Sequence, residues 1–260
     1  MCLIFLALER HPRHRVILAA NRDEFHERPT AAMTFWPEAP DILAGRDLAA
    51  GGTWLGIHRS GRWAALTNYR DPSAHRNDAA SRGGLIAPFL TGSETAEAYL
   101  ASVAPLANRY NGFNLLADDG CGVAYLSSRT GVVEALGPGI YGLSNHLLNT
   151  PWPKVAAGKV RFQQLVTPDV VSEEKLMDML ADRTAPPDAS LPDTGVGIKW
   201  ERRLGAIFIA SAVYGTRCST VMRLDRSGLV NVVERTYRIN DGTVSGSDDR
   251  RFQFQASMAP

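Results

Sequence analysis

A chain of 260 residues, 45% hydrophobic and 21% charged, has the composition of a folded globular protein with enough length to bury a sizeable core. A formal net charge of +1, with arginines spread along the chain, excludes nucleic acid or an anionic membrane as a partner drawn in by charge. Three scattered cysteines, Cys2, Cys121 and Cys218, exclude a disulfide framework and a zinc site, and fit a reducing, cytoplasmic location.

The chain opens on an apolar run, residues 2–8, without a positive leader region. It passes directly into Glu9-Arg10-His11-Pro12-Arg13, so it is too short for a signal peptide or a membrane span and reads as a buried first strand. Residues 3–8 and 15–20 then pair about that turn, where His11 and His14 are expected to be solvated. Residues 53–58 and 63–68 flank Arg59-Ser60-Gly61-Arg62. Helices are expected at 84–90 and at 94–103, the second capped by Ser93. Residues 114–117 and 122–126 flank Asp118-Asp119-Gly120, and residues 132–136 and 140–143 flank Gly137-Pro138-Gly139. A helix at 153–165 starts with proline in its first turn, and one at 173–181 follows Ser172 with Glu173 and Glu174 at its positive end. Residues 184–197 read as a loop rich in Pro, Asp and Gly. Residues 219–224 and 229–235 form a last hairpin, and the polar tail from about Asp241 is expected to be loosely held. Hairpins with Gly, Asp or Pro turns, interrupted by a few helices, give an α+β class with antiparallel sheets.

The chemistry concentrates at strand ends. Removal of Met1 would leave Cys2 with a thiol and a free α-amine of reference pKa near ~8, so one residue would supply both nucleophile and base. The alternative is a small apolar residue opening a strand. The apolar run 16–20 ends in Asn21-Arg22-Asp23-Glu24, and the first hairpin returns these four polar residues toward Cys2. There Arg22 would favour thiolate and Asp23 would hold the α-ammonium; otherwise they form a solvated ion-pair cluster. Period-two alternation puts Asn21 and Asp23 on one face, Arg22 and Glu24 on the other. Asn68 ends another strand, either as an oxyanion donor or as the opening of a turn. Asn145 admits the same two readings. Arg217 either binds a carboxylate or steadies the thiolate, or it is a surface arginine. Trp54 and Trp63 read as core, and Cys218 as a packed strand residue. Gly137–Gly142 fits a dinucleotide-loop pattern by spelling only, since no helix follows it. No set of residues forms a metal site.

Asn21-Arg22-Asp23-Glu24 is the signature of the NRDE, or transport and Golgi organisation protein 2, family, which the chain resembles over essentially its whole length. Met1-Cys2-Leu3, Gly51-Gly52-Thr53-Trp54-Leu55-Gly56, Thr67-Asn68-Tyr69-Arg70, Ser81-Arg82-Gly83 and Tyr141-Gly142-Leu143-Ser144-Asn145 carry the resemblance in the same order. That family in turn resembles cysteine N-terminal nucleophile hydrolases such as conjugated bile acid and penicillin V acylases and acid ceramidase.

The resemblance implies a single domain over 1–260, a four-layer αββα sandwich of two antiparallel sheets, with Cys2 as nucleophile and Asn68 as oxyanion donor. Asn145 would be a second polar site residue and Arg217 the late arginine, with Asn21, Arg22 and Asp23 also catalytic and Glu24, Tyr69 and Arg70 in contact with substrate. Those acylases place an arginine and an aspartate three apart after the second strand. Here Asn21 and Glu24 hold that spacing, with Arg22 and Asp23 between them. The expected reaction is hydrolysis of a non-peptide amide through a Cys2 acyl-enzyme, with a small-molecule amide or acyl ligand and no cofactor. The alternative is a non-catalytic carrier of haem or acyl lipid on the same fold, since eukaryotic relatives are linked to Golgi organisation and to haem or lipid handling.

Overall fold

The structure is a computed structural model, described here for residues 2–257. The opening run forms β1 (Cys2–Leu8), buried along its whole length. Such a strand is apolar on both faces because both are covered. Ile4, Leu6 and Leu8 face a second sheet, whereas Leu3, Phe5 and Ala7 face helices. β2 (His14–Phe25) pairs with β1, setting Cys2 opposite Arg22 and Leu8 opposite Val16. The first sheet is completed by β10 (Gly139–Leu143), β11 (Tyr214–Asp225), β12 (Leu229–Asn240) and β13 (Thr243–Gln255), in the order β10-β1-β2-β11-β12-β13.

The second sheet follows sequence order through β3 (Thr30–Trp36), β4 (Ala39–Asp47), β5 (Leu55–His58), β6 (Trp63–Asn68), β7 (Phe113–Asp118), β8 (Val123–Ser127) and β9 (Val133–Leu136). α1 (Ile86–Thr91) and α2 (Ala96–Val103) cover its outer face through Phe89 and Leu100. α3 (Pro153–Val166) and α4 (Glu173–Leu180) cover the outer face of the first sheet through Phe162 and Leu176. This is the expected four-layer αββα sandwich, with its central core between the sheets. A buried ion pair ties the sheets at one end: Arg15 of β2 donates to Asp118 of β7 at 2.7 Å, and Trp63 Nε1 donates to the same oxygen at 2.6 Å.

Several local expectations are corrected. Residues 132–136 and 140–143 do not form a hairpin. β9 ends the second sheet on β8, and the chain crosses at Gly137-Pro138 to put β10 on β1. The tail from Asp241 is not loose: β13 pairs along β12, and its alternating Phe252 and Phe254 pack against Phe35. His11 and His14 are buried, with rings stacked 4.7 Å apart. The His11 Nδ1 accepts the backbone N–H of Arg13 and His14, so the turn is built around the ring. Burial pushes the His14 pKa down to about 4, with His11 acting in the same direction. The cap of α2 is Thr95, not Ser93; the Ser172 cap of α4 forms as expected. β3, β4 and α5 (Ile198–Leu204) lie in stretches without a clean period; the β3–β4 register is broken twice by irregularities.

α3 sits close on β1 because Gly158 has no side chain. A Cβ there would lie 2.2 Å from the Phe5 ring, which is itself fully buried and stacks on Phe162 at 5.8 Å. Gly158→Ala is expected to destabilise the protein by about 1–3 kcal/mol through overpacking, read as a lower urea midpoint. An unchanged midpoint would show that the helix shifts freely.

Candidate active site

Cys2, Arg22 and Cys218 lie in register across β1, β2 and β11 at one end of the first sheet. β2 runs past the start of β1, so beyond Arg22 it is paired with β11 alone among the described residues. That staggered edge opens into a cleft of about 1380 Å³. Cys2, Arg22, Asp23 and Glu24 line it from this sheet, and Trp54 and Asn68 from the facing one.

Cys2 is 8% exposed. Burial raises its thiol pKa, Asp23 pushes the same way, and Arg22 opposes them. Arg22 therefore does not turn Cys2 into a resting thiolate. Its guanidinium stacks 4.2 Å from the Trp54 ring centroid and bonds Thr30 Oγ1 at 3.1 Å and Asp47 Oδ2 at 3.4 Å. It braces the two sheets at the cleft wall. Asp23, on the opposite face of β2, is fully buried and accepts from Thr216 Oγ1 at 2.7 Å. Burial raises its pKa and Lys154 pulls it back. Lys154, in the first turn of α3, is itself buried and donates to the Leu204 carbonyl at 2.9 Å. Its pKa falls to about 8 through burial, against the pull of Asp23. Glu24 stands at the rim, accepting from the Phe25 N–H at 2.9 Å and 4.0 Å from Arg28.

Asn68 ends β6 at the cleft wall. Its side-chain amide makes no hydrogen bond among the described residues, so its N–H groups are available to a ligand. Its carbonyl is held by Asn145 Nδ2 at 3.0 Å, while the Asn145 carbonyl accepts the Arg70 N–H at 2.7 Å. Continuing the β1–β10 register places Asn145 at the level of Cys2. It is fully buried, however, and does not line the cleft; its side chain clamps the Asn68 carbonyl in place.

Two other expected site residues also lie elsewhere. Asn21 faces α4 and donates both amide protons, to the Leu180 and Ile207 carbonyls at 2.8 and 2.9 Å. Its oxygen accepts from Ser219 Oγ, so it is fully engaged in packing. Arg217 sits where the β2–β11 register shifts, between Thr216 and Cys218. The irregularity turns it aside: Arg217 is not itself part of the cleft lining, and it donates to the carbonyls of Phe25 and Arg28, which are.

Tyr69 lines the cleft with its ring 5.0 Å from that of His146. Arg70 also lines it, but its guanidinium is buried and bonded to Glu201 at 2.8 Å. Lys154, Glu201 and Arg82 were not singled out from the sequence as site residues. A polar residue at the start of a helix or in a turn looks the same in sequence whether solvated or buried. Ser81-Arg82-Gly83 was visible only as a motif. No group of residues that could hold a metal ion occurs among the described residues, and no helix is long and apolar enough to cross a membrane.

Among solved structures, a Caenorhabditis elegans N-acylethanolamine-hydrolyzing acid amidase ortholog aligns at TM-score 0.43 and 10% identity, covering 85% of this chain and 92% of that one. A mutant conjugated bile acid hydrolase from Clostridium perfringens aligns at TM-score 0.41 and 9% identity, covering 99% and 90%. Sequence relatives are far nearer. The Bos taurus Transport and Golgi organization protein 2 homolog is 38% identical, covering 98% of this chain and 100% of that protein. The Homo sapiens homolog is 37% identical, covering 98% and 99%, and the Drosophila melanogaster protein 28%, covering 91% and 92%. A profile of the family described as Transport and Golgi organisation 2 matches residues 1–239. The chain belongs to the Transport and Golgi organisation 2 family.

Proposed function

We propose that this protein is an N-terminal cysteine hydrolase that cleaves a non-peptide amide through an acyl-enzyme on Cys2. One observation carries the reading: Cys2 opens β1 at a large cleft, with the Asp23 carboxyl on the adjoining strand and the unengaged Asn68 amide on the facing wall. Met1 lies outside the described residues, and the scheme requires its removal so that the α-amine belongs to Cys2.

The Cys2 sulfur attacks the amide carbonyl carbon, and the thiol proton passes to the neutral α-amine. Asp23 stabilises the resulting ammonium. Asn68 Nδ2 donates to the oxygen that becomes anionic as the tetrahedral intermediate forms. The intermediate collapses with breakage of the C–N bond, and the ammonium returns its proton to the departing amine. The same α-amine then takes a proton from water, which attacks the thioester and regenerates the thiol. A raised thiol pKa suits this order of events, because the proton leaves only as the carbon–sulfur bond forms.

Mass spectrometry tests the reading. Active protein is expected to begin at Cys2, and brief treatment with a β-lactam or an activated acyl amide is expected to add the acyl mass to the N-terminal peptide alone. Retained Met1 in protein that still turns over, or an adduct elsewhere, would overturn the mechanism. Saturable binding of an acyl ligand without any covalent adduct is the outcome a carrier would give.

A further inference from the structure

The acyl-transfer scheme leaves Arg82 without a role. This residue lines the same cleft as Cys2 and begins a short 3-10 turn, Arg82–Leu85. Its position is fixed by backbone contact. The next residue, Gly83, accepts the Thr53 N–H at 3.2 Å, and a Cβ on Gly52 would lie 2.4 Å from the Gly83 carbonyl carbon. The β4–β5 connection and the 3-10 turn therefore touch there, and Arg82 extends from the junction.

The other cleft arginines are neutralised. Arg22 and Arg28 share Asp47, Arg70 pairs with Glu201, and Arg129 pairs with Asp71. Arg82 has no ion pair among the described residues. Its one hydrogen bond there runs from Nη1 to the Gly112 carbonyl at 3.1 Å, which leaves most of its five N–H donors unused. Burial lowers its pKa, while Glu24 and Cys2 act on it in the opposite direction. Glu24 is already engaged by the Phe25 N–H and Arg28. A partly desolvated guanidinium without a carboxylate is costly in the resting protein and ready for an anion. Its planar fork fits a carboxylate through two parallel bonds.

We propose that Arg82 anchors a carboxylate carried by the substrate, so that the amide cleaved at Cys2 belongs to the N-acyl amino acids or to amides of like charge. The assignment rests on the hydrolase reading for the word substrate, but the anion site itself is a matter of binding. It is therefore tested apart from turnover, on the full chain carrying Cys2→Ala. Isothermal titration compares N-octanoylglycine with neutral N-octanoylglycinamide, with and without Arg82→Gln.

The acid is expected to bind about tenfold or more tightly than the amide. That preference is expected to fall to about twofold in Arg82→Gln, to survive in part in Arg82→Lys, and to shrink with added salt. Equal binding of acid and amide with Arg82 intact, or the same preference without it, would overturn the anchor. Should Arg82→Gln not fold, the acid–amide comparison and its salt dependence with Arg82 intact decide the question. If Cys2 forms no acyl-enzyme while the Arg82-dependent preference holds, the hydrolase reading fails and the anion site stands. If Cys2 is acylated but no preference exists, only the anchor fails.

Discussion

Cys2→Ser is expected to lower the rate of acyl transfer by at least about 10³-fold, as loss of a catalytic nucleophile does. Serine nearly matches the shape of cysteine, so the buried end of β1 is kept and the loss is chemical. The ordinary cysteine thiol pKa of 9.0 lies about one unit above that of an α-amine, so the amine is matched to a thiol as its base, although burial raises the thiol and works against the transfer. A serine hydroxyl is a far weaker acid, so the same amine cannot activate it as well. The rate is expected to rise with pH as the α-amine loses its proton, because only the neutral amine can accept one. In the proposed scheme Asp23 stabilises the ammonium, so Asp23→Asn is expected to shift that rise to lower pH while slowing the reaction. Asn68→Ala separates the roles further. Losing one oxyanion donor is worth about 10²–10³ in rate, yet alkylation of Cys2 by iodoacetamide, which forms no oxyanion, is expected to stay unchanged. Single-turnover acylation and alkylation rates give the comparison. Equal acylation of the parent and Cys2→Ser proteins would sink the proposal.

The architecture was legible where one residue type dominates a strand. Residues 2–8 and 16–20 are nearly all apolar, and their hairpin forms with Cys2 opposite Arg22. Alternation also separated the faces of β2 correctly, with Arg22 toward the second sheet and Asn21 toward the helices. What it could not show was that β2 outruns β1 and gives the cleft Asp23 and Glu24 from opposite faces. A bare asparagine at a strand end reads the same for Asn68 and Asn145. Only the fold reveals that one amide is open to the cleft while the other holds its neighbour's carbonyl. The Gly137-Pro138-Gly139 turn carried a hairpin signal, yet strand pairing is non-local and β1 offered β10 its ladder. The polar tail hid β13 for a related reason. A strand with one face exposed needs only alternate apolar residues, and Phe252 and Phe254 suffice against Phe35. Lys154 and Glu201 were invisible because their burial comes from distant segments packing over them.

Glu201→Ala is expected to cost about 3–5 kcal/mol, since removing one partner strands a buried charge. The Arg70 and Glu201 side chains are 5% and 3% exposed and meet at 2.8 Å. The second Glu201 oxygen accepts the Thr194 N–H and hydroxyl at 2.8 and 2.6 Å. Burial already lowers the Arg70 pKa, with Glu201 offsetting part of the effect. Without that carboxylate the guanidinium lies over the Trp152 ring, 4.9 Å from its centroid, and has lost its ion-pair partner, with Asp23 left to act on it. The Thr194 donors lose their acceptor at the same time. A surface pair made by the same helix with the turn at Asp188 gives the internal comparison: Arg202 and Asp188 are 56% and 53% exposed, so Asp188→Ala is expected to change stability by no more than about 1 kcal/mol. Restoring a complementary interior should recover most of the loss, and Arg70→Met with Glu201→Leu is expected to lie near the parent protein. Denaturant unfolding measures all three, and hydrogen exchange locates the effect. If the pair mainly holds α5 down, exchange should quicken first around residues 194–204, before the sheets open. Trp200 and Leu204 of α5 line the cleft, so the same detachment should raise KM more than it lowers kcat. A Glu201→Ala protein as stable as the parent, with unchanged exchange at α5, would mean that Arg70 needs no buried counter-charge.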